Sequence, residues 1–473
     1  MNLTQLENLM LHRVNIFSGL PDSLLNLSSL ATIDLSETGL LGDLPYEIFQ
    51  LPKLQNLDLG YNYNMTGSLL KVKWGCNSSL EKLVLSGILM SGKLPDSIGY
   101  LRFLNYLDLR GNQFSGPLPE SLGNLTRITS LDLSGNGFTG RSPGQGNNRN
   151  GEIPDFFARL LKLESLGLST NNFGAGPFPL WVSNLTQLFS LDISNMALTG
   201  PIPSNITGFQ KLRGLYLSNS SLNGTLPSWL FAIPSLQWLE LSSNQLTGQI
   251  HEFQRDSPLV WIDLSYNKLS GPIPQSISGL VNLSYLQLRS NNLSGDVELQ
   301  KFSNLPSLQL LDLSSNQLTG QIHEFRRDSP LESIDLSYNK LHGPIPQSIS
   351  GLVNLISLYL QSNNLNGDVE LQKFSNLSAL DLSKNNLSVR IGSNANATWP
   401  NLSSLGLSSC NITEFPDFLQ NLDENLLRVL DLSSNKIHGE IPKWEKFISG
   451  MATTSTTIPC CPIDVIDHMF HSL

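Results

Sequence analysis

Residues Leu104-Asn105-Tyr106-Leu107-Asp108-Leu109-Arg110-Gly111-Asn112 read L-x-x-L-x-L-x-x-N, and the chain continues through Phe114, Gly116, Leu118 and Pro119 as x-F-x-G-x-L-P. The same frame returns at a period of roughly 24 residues, within the range of repeat architectures. Its terminal asparagine stands at Asn62, Asn112, Asn136, Asn171, Asn244, Asn267, Asn291, Asn316, Asn339, Asn363, Asn385 and Asn435. Val14, Thr38, Ile88, Met196, Ser220 and Cys410 fill the same column elsewhere, giving 18 repeats between Leu3 and about Lys443. Self-similarity on this period marks a repeat solenoid, in which no unit can bury its apolar edge alone.

Each position of the frame has a physical task. The L-x-L core is a short strand with period-two alternation, its leucines pointing into the solenoid and its x residues to solvent. An asparagine side chain both donates and accepts, so it can satisfy turn backbone groups that no ladder reaches. The glycine of x-L-x-G tolerates a backbone conformation forbidden to other residues. The proline fixes φ where the chain turns back. With strands ~4.8 Å apart, 18 of them make an open track on the order of 80 Å long, with no enclosed pocket implied.

Composition excludes several classes. The 473 residues are 40% hydrophobic and only 14% charged, unlike a disordered or coiled-coil chain. A net charge of −10 makes a poor nucleic-acid ligand, since phosphate contacts need basic side chains. No apolar run reaches the length of a membrane span, and Met1-Asn2-Leu3-Thr4 lacks the pattern of a signal peptide. Cys76, Cys410, Cys460 and Cys461 show no metal-ligand spacing. Cys410, in the asparagine column, is expected to be a buried free thiol; Cys76 has no partner near it in sequence. The seven histidines are scattered and no nucleophile–base or metal motif occurs, so no catalysis, cofactor or metal is expected. The aspartates of L-D-L recur by consensus, which points to a structural or surface role.

Two stretches break the frame. Residues 141–150 are an insertion of loop composition; Gly146 and Gly151 have phosphate-loop spacing, but Glu152 and Ile153 stand where Lys and Ser or Thr are needed. Residues 444–473 carry no repeat and are expected to be poorly ordered, so the repeat domain is 1–443.

Residues 236–305 and 308–377 are near copies, offset by three repeats and differing at 11 of 70 positions. Eight of those, Trp238/Leu310, Glu240/Asp312, Val260/Glu332, Trp261/Ser333, Ser284/Ile356, Tyr285/Ser357, Gln287/Tyr359 and Arg289/Gln361, fall on the 15 x positions of the L-x-x-L-x-L-x-x frame. The remaining three, Gln254/Arg326, Ser270/His342 and Ser294/Asn366, are spread over 55 positions. Exposure alone does not explain this, because outer-loop stretches such as His251-Glu252-Phe253 match their copies residue for residue. The x face is therefore expected to be a recognition surface under diversification. Trp238, Trp261 and Tyr285 share one strand position in adjacent repeats, beside a polar column of Tyr216, Glu240, Asp263 and Gln287. Exposed aromatics flanked by polar groups suit binding, although cross-strand aromatic pairing would serve stability alone. The expected ligand contacts are Tyr216, Trp238, Glu240, Trp261, Asp263, Tyr285, Gln287, Arg289 and Tyr359.

Sixteen N-x-S/T sequons occur. Asn26, Asn64, Asn77, Asn124, Asn184, Asn205, Asn282, Asn376 and Asn401 are the expected glycosylation sites, leaving the inner track open, while a glycan on Asn219 would cap it locally. This richness favours a secreted glycoprotein.

The x-L-x-G-x-I-P half of the frame resembles the plant-type leucine-rich repeat. That resemblance implies a right-handed superhelix of the α/β-horseshoe class, with a parallel sheet on the concave side and short strands and 3₁₀ turns on the convex side. The C-terminal run Leu405-Gly406-Leu407-Ser408-Ser409-Cys410-Asn411-Ile412-Thr413-Glu414-Phe415-Pro416, followed by Leu430-Asp431-Leu432-Ser433-Ser434-Asn435-Lys436-Ile437-His438-Gly439-Glu440-Ile441-Pro442, is similar to plant receptor-like proteins of the disease-resistance type, such as the Cladosporium and Verticillium resistance receptors. The resemblance covers residues 1 to about 444. It implies an ectodomain on the outer face of the plasma membrane, a microbial or peptide ligand (protein or glycan being further possibilities), and receptor-kinase partners. The family's leader, cysteine-paired cap, membrane span and tail are not found in this sequence, so the expected object is the middle of a receptor that frays or aggregates when expressed alone. Other readings are a developmental peptide receptor, a soluble wall-associated inhibitor of the polygalacturonase-inhibitor type, and a non-functional truncated fragment.

Overall fold

The computed structural model describes residues 3–140, 152–391, 399–422 and 426–438; the insertion at 141–150 and the segment 444–473 lie outside the described residues. Among the described residues eighteen strands, from Asn8–Met10 to Val429–Asp431, form one parallel sheet. Each strand between the first and the last pairs with those of the preceding and following repeats: Trp238–Glu240 lies between Gly214–Tyr216 and Trp261–Asp263. The register is that of the frame, with Leu239 opposite Ile262 and Leu286 opposite Leu311. The central residue of each strand between the two end coils is buried, as Leu215, Leu239, Ile262, Leu286 and Leu358 show, while Leu9 and Leu430 in the end strands are half-buried. These positions stack into one continuous apolar core.

The asparagine column does what its chemistry allows. In Asn267 the Nδ2 amide donates to the carbonyls of Leu241 (2.9 Å), Leu264 (3.1 Å) and Ser265 (3.1 Å), and Oδ1 accepts the Leu246 N–H (3.0 Å). Asn316 repeats the pattern with Leu288, Leu313, Ser314 and Leu293. In both, two of the bonds reach the preceding repeat, so the column stitches neighbouring coils together. Cys410 is fully buried, and its thiol lies against two of the equivalent carbonyls, Leu382 at 3.5 Å and Ser408 at 3.6 Å. Burial pushes that thiol up to about 12, which keeps it protonated and inert.

The consensus does not reveal one property of the turn. The residue just before the column is left-handed in repeat after repeat: Tyr266 (φ 52°), Ser290 (φ 54°), Ser315 (φ 55°) and Tyr338 (φ 53°) are examples. A non-glycine residue there costs roughly 1–2 kcal/mol. The ladder offsets it, because the backbone bonds continue through the turn: Tyr266 donates to Arg289 and Asn267 to Ser290. The glycine of x-L-x-G is left-handed as expected, at Gly248 (φ 79°), where an added Cβ would also stand 2.9 Å from the Thr225 methyl.

Among the described residues the opposite side carries short second strands in sheets of five, seven and three, Gln245–Gly248 and Lys268–Gly271 among them. Between them run 3₁₀ turns such as Gln275–Gly279, entered through Pro274 at φ −62° with Ile277 buried beneath. A right-handed leucine-rich-repeat horseshoe results, its long sheet concave. At its first coil Leu3, Met10 and Phe17 are more than half exposed, whereas Leu6 and Leu9 pack partly against the core.

Candidate ligand-recognition face

The two 70-residue copies contribute six consecutive strands of the concave sheet, Trp238–Glu240 through Ser357–Tyr359. Trp238 stands opposite Trp261, and Trp261 opposite Tyr285. The Trp261 and Tyr285 rings are in contact, with centroids 4.6 Å apart and planes tilted by 34°. One repeat earlier the same position is Gly214, and a Cβ there would lie 2.8 Å from the Tyr216 ring and 3.0 Å from its hydroxyl. Tyr216 therefore folds across the glycine and extends the aromatic row backwards. Aromatics of four adjacent repeats thus stand side by side along the sheet as a shelf, with ring contact between Trp261 and Tyr285.

Beside it run Tyr216, Glu240, Asp263, Gln287, Asp312, Asp335, Tyr359 and Asp381, in register. The expectation that these x residues point freely to solvent needs correction. Tyr216, Trp238, Glu240, Trp261, Asp263, Tyr285, Gln287, Arg289 and Tyr359 are half-buried, and Asp312 and Asp335 are buried outright. Strands ~4.8 Å apart set long side chains shoulder to shoulder, so each shields its neighbour.

Most of the acids are local caps. Asp312 Oδ1 accepts both the backbone N–H (2.9 Å) and the hydroxyl (2.6 Å) of Ser314, and Asp335 does the same with Ser337. Asp263 accepts the Ser265 N–H. The recurrent L-D-L-S is thus a turn device. Glu240 is different: among the described residues its carboxylate has no hydrogen-bond partner. Burial first, then the charges of Asp263 and Asp192, push it up to about 7. Burial also raises Tyr216, with Glu240 and Asp192 adding to the effect.

Basic side chains compensate the acids unevenly. Near the N-terminal end Lys82 pairs with Asp58 (3.1 Å), and Arg110 with Asp108 (3.3 Å) and Asp132 (3.6 Å). Arg289 lies over the Tyr266 ring, 5.6 Å from its centroid, and its charge favours ionised Asp312 and Asp335. Tyr359 is three strands beyond Gln287 and does not join the shelf. Sequence reasoning missed Tyr266, exposed at a left-handed position, and Gly214; the bulky residues just ahead of the asparagine column were the available signal for Tyr266.

The fourteen sequon asparagines within the described residues are all exposed, and Asn219 stands on the concave side, donating to Asn195 Oδ1 (2.6 Å). Among the described residues no group of histidines, cysteines and acids could hold a metal ion, and no helix is long and apolar enough to cross a membrane.

Comparison with known proteins agrees with this geometry. The leucine-rich-repeat family matches residues 186–246 and, repeat by repeat, 103–125, 127–148, 258–280, 307–326, 330–352, 401–422 and 426–446. Receptor like protein 24 of Arabidopsis thaliana is 40% identical over 144 residues, 29% of this chain and 16% of that protein. Receptor-like protein 54 of the same plant is 37% identical over 143 residues, 29% of this chain and 17% of that one. These matches thus span about a sixth of the curated relatives. Among solved structures, the plant peptide hormone receptor RGFR1 in complex with RGF2 superimposes with a TM-score of 0.72 at 32% identity, over 93% of this chain and 72% of that one. The Arabidopsis receptor kinase HAESA in complex with the peptide hormone IDA and the co-receptor SERK1 gives 0.73 at 31% identity, over 93% and 80%. On repeat, register and this likeness along its length, the chain belongs to the leucine-rich-repeat family of plant receptor ectodomains, with receptor-like proteins among its relatives.

Proposed function

We propose that this chain is the ligand-recognition region of a plant cell-surface receptor-like protein, that its concave face senses a microbial or peptide ligand in immunity, and that partner receptor kinases carry the signal inward. The observation that carries this reading is the confinement of eight of the 11 copy differences to the concave x positions, where they remake a continuous aromatic and acidic surface while the outer side stays nearly constant. Support comes from the peptide complexes of RGFR1 and HAESA, the latter with a co-receptor. The same complexes favour a second reading, a receptor for an endogenous peptide hormone.

The test places the chain between the leader and the membrane-anchored part of a receptor-like protein, expresses it in leaves, and records the oxidative burst to microbial culture filtrates. Loss of the burst on combining Trp238→Ala with Trp261→Ala, at unchanged surface level, supports the immune reading. A burst only to plant-derived peptides transfers the function to hormone sensing, and a burst indifferent to both substitutions contradicts the concave site.

A further inference from the structure

The duplication supplies an internal comparison. In the second copy the acidic pair Asp312 and Asp335 lies within the field of a guanidinium from the repeat before it, that of Arg289, whose charge favours their ionised forms against burial. In the first copy the matching pair is Glu240 and Asp263, and the residue three repeats ahead of Arg289, in the repeat before that pair, is Ser218. The charges that reach Glu240 are the carboxylates of Asp263 and Asp192. The first copy therefore has the acidic pair without the cation. In its place it has the shelf of Trp238, Trp261 and Tyr285, which the second copy replaces with Leu310, Ser333 and Ser357. Indole faces attract cations through their quadrupole, and tryptophan does so best. Asp312 spends its Oδ1 on Ser314, whereas Glu240, one methylene longer, has no partner among the described residues.

Resting on the concave-face reading above, we infer that the shelf receives an extended peptide carrying a lysine or arginine, its cationic head over the indoles and its charge met by Glu240 and Asp263. The ligand supplies to the first copy what Arg289 supplies to the second. Charge complementarity and the aromatic faces select this occupant over an acidic peptide, which the carboxylates repel.

The test pans a displayed library of random dodecapeptides on the full chain, with counter-selection on the Trp238→Ala/Trp261→Ala variant. Enriched peptides are expected to share a basic residue. Its replacement by norleucine should weaken binding to the parent chain about tenfold and to Glu240→Gln less than about twofold. Ser218→Arg, which removes no shelf side chain, should also abolish binding by placing an internal cation beside the pair. The inference is overturned if enriched peptides lack a basic residue, if Glu240→Gln and Ser218→Arg leave binding intact, if a neutral oligosaccharide binds the shelf instead, or if nothing survives counter-selection. Peptides that bind the double-alanine variant equally well would contradict the concave-face reading itself. Cooperative melting of Glu240→Gln and Ser218→Arg separates loss of binding from loss of fold.

Discussion

At the scale of single residues, the asparagine column and Glu240 make opposite contributions. Asn316 satisfies three carbonyls and one N–H in a buried turn. Asn316→Ala leaves several of them unpaired, and urea unfolding should show a loss of about 3 kcal/mol. Glu240 is raised from an ordinary 4.5 to about 7, with burial the main cause and the charges of Asp263 on the following strand and Asp192 two strands back adding to it; Tyr216 adjoins it on the preceding strand. The folded chain therefore holds a proton that the unfolded chain releases. That contribution is complete below about pH 4.5 and lost as pH climbs through about 7. It amounts to about 3 kcal/mol at most. Melting curves between pH 4 and 8 should show the parent chain losing stability as pH rises, and Glu240→Gln losing less. An equal slope in both would refute the assignment.

At the scale of elements, the two copies separate what the fold needs from what it tolerates. The strand Trp261–Asp263 and its counterpart Ser333–Asp335 hold the same register although one begins with an indole and the other with a hydroxymethyl group. Changing Trp238, Trp261 and Tyr285 together to Leu, Ser and Ser should therefore cost less than about 2 kcal/mol in chemical unfolding, the scale of a few cross-strand pairs. A larger loss would make the shelf chiefly a structural clasp. Gly248→Ala, by contrast, meets both a φ of 79° and the Thr225 methyl, and should cost about 1–2 kcal/mol at a position far from the shelf. The repeating strand, the asparagine and the glycine were legible because their period is written into the chain. Tyr216 folding over Gly214 was not, since a side-chain rotamer decides it. Nor was the burial of Asp312 and Asp335, which comes from neighbours a whole repeat away in sequence rather than from the strand's own alternation.

At the scale of the molecule, a solenoid is held by contacts between neighbouring coils. The duplication spans three whole repeats, so deletion of 306–377 sets Leu305 before Ser378, in the place that the matching Leu377 holds now. Circular dichroism should show unchanged strand content per residue, and the denaturant m-value should fall roughly in proportion to the lost surface. Loss of cooperative unfolding would contradict the picture of additive coils. The central claim is that the Trp238–Tyr285 stretch of the concave sheet is where a ligand is read. Its most direct measurement is amide hydrogen exchange of the full chain with and without a peptide selected on it. The account predicts protection gathered in the strands at 214–216, 238–240, 261–263 and 285–287, and little change in the outer turns. Protection confined to the convex side, or to strands before residue 140, would contradict it.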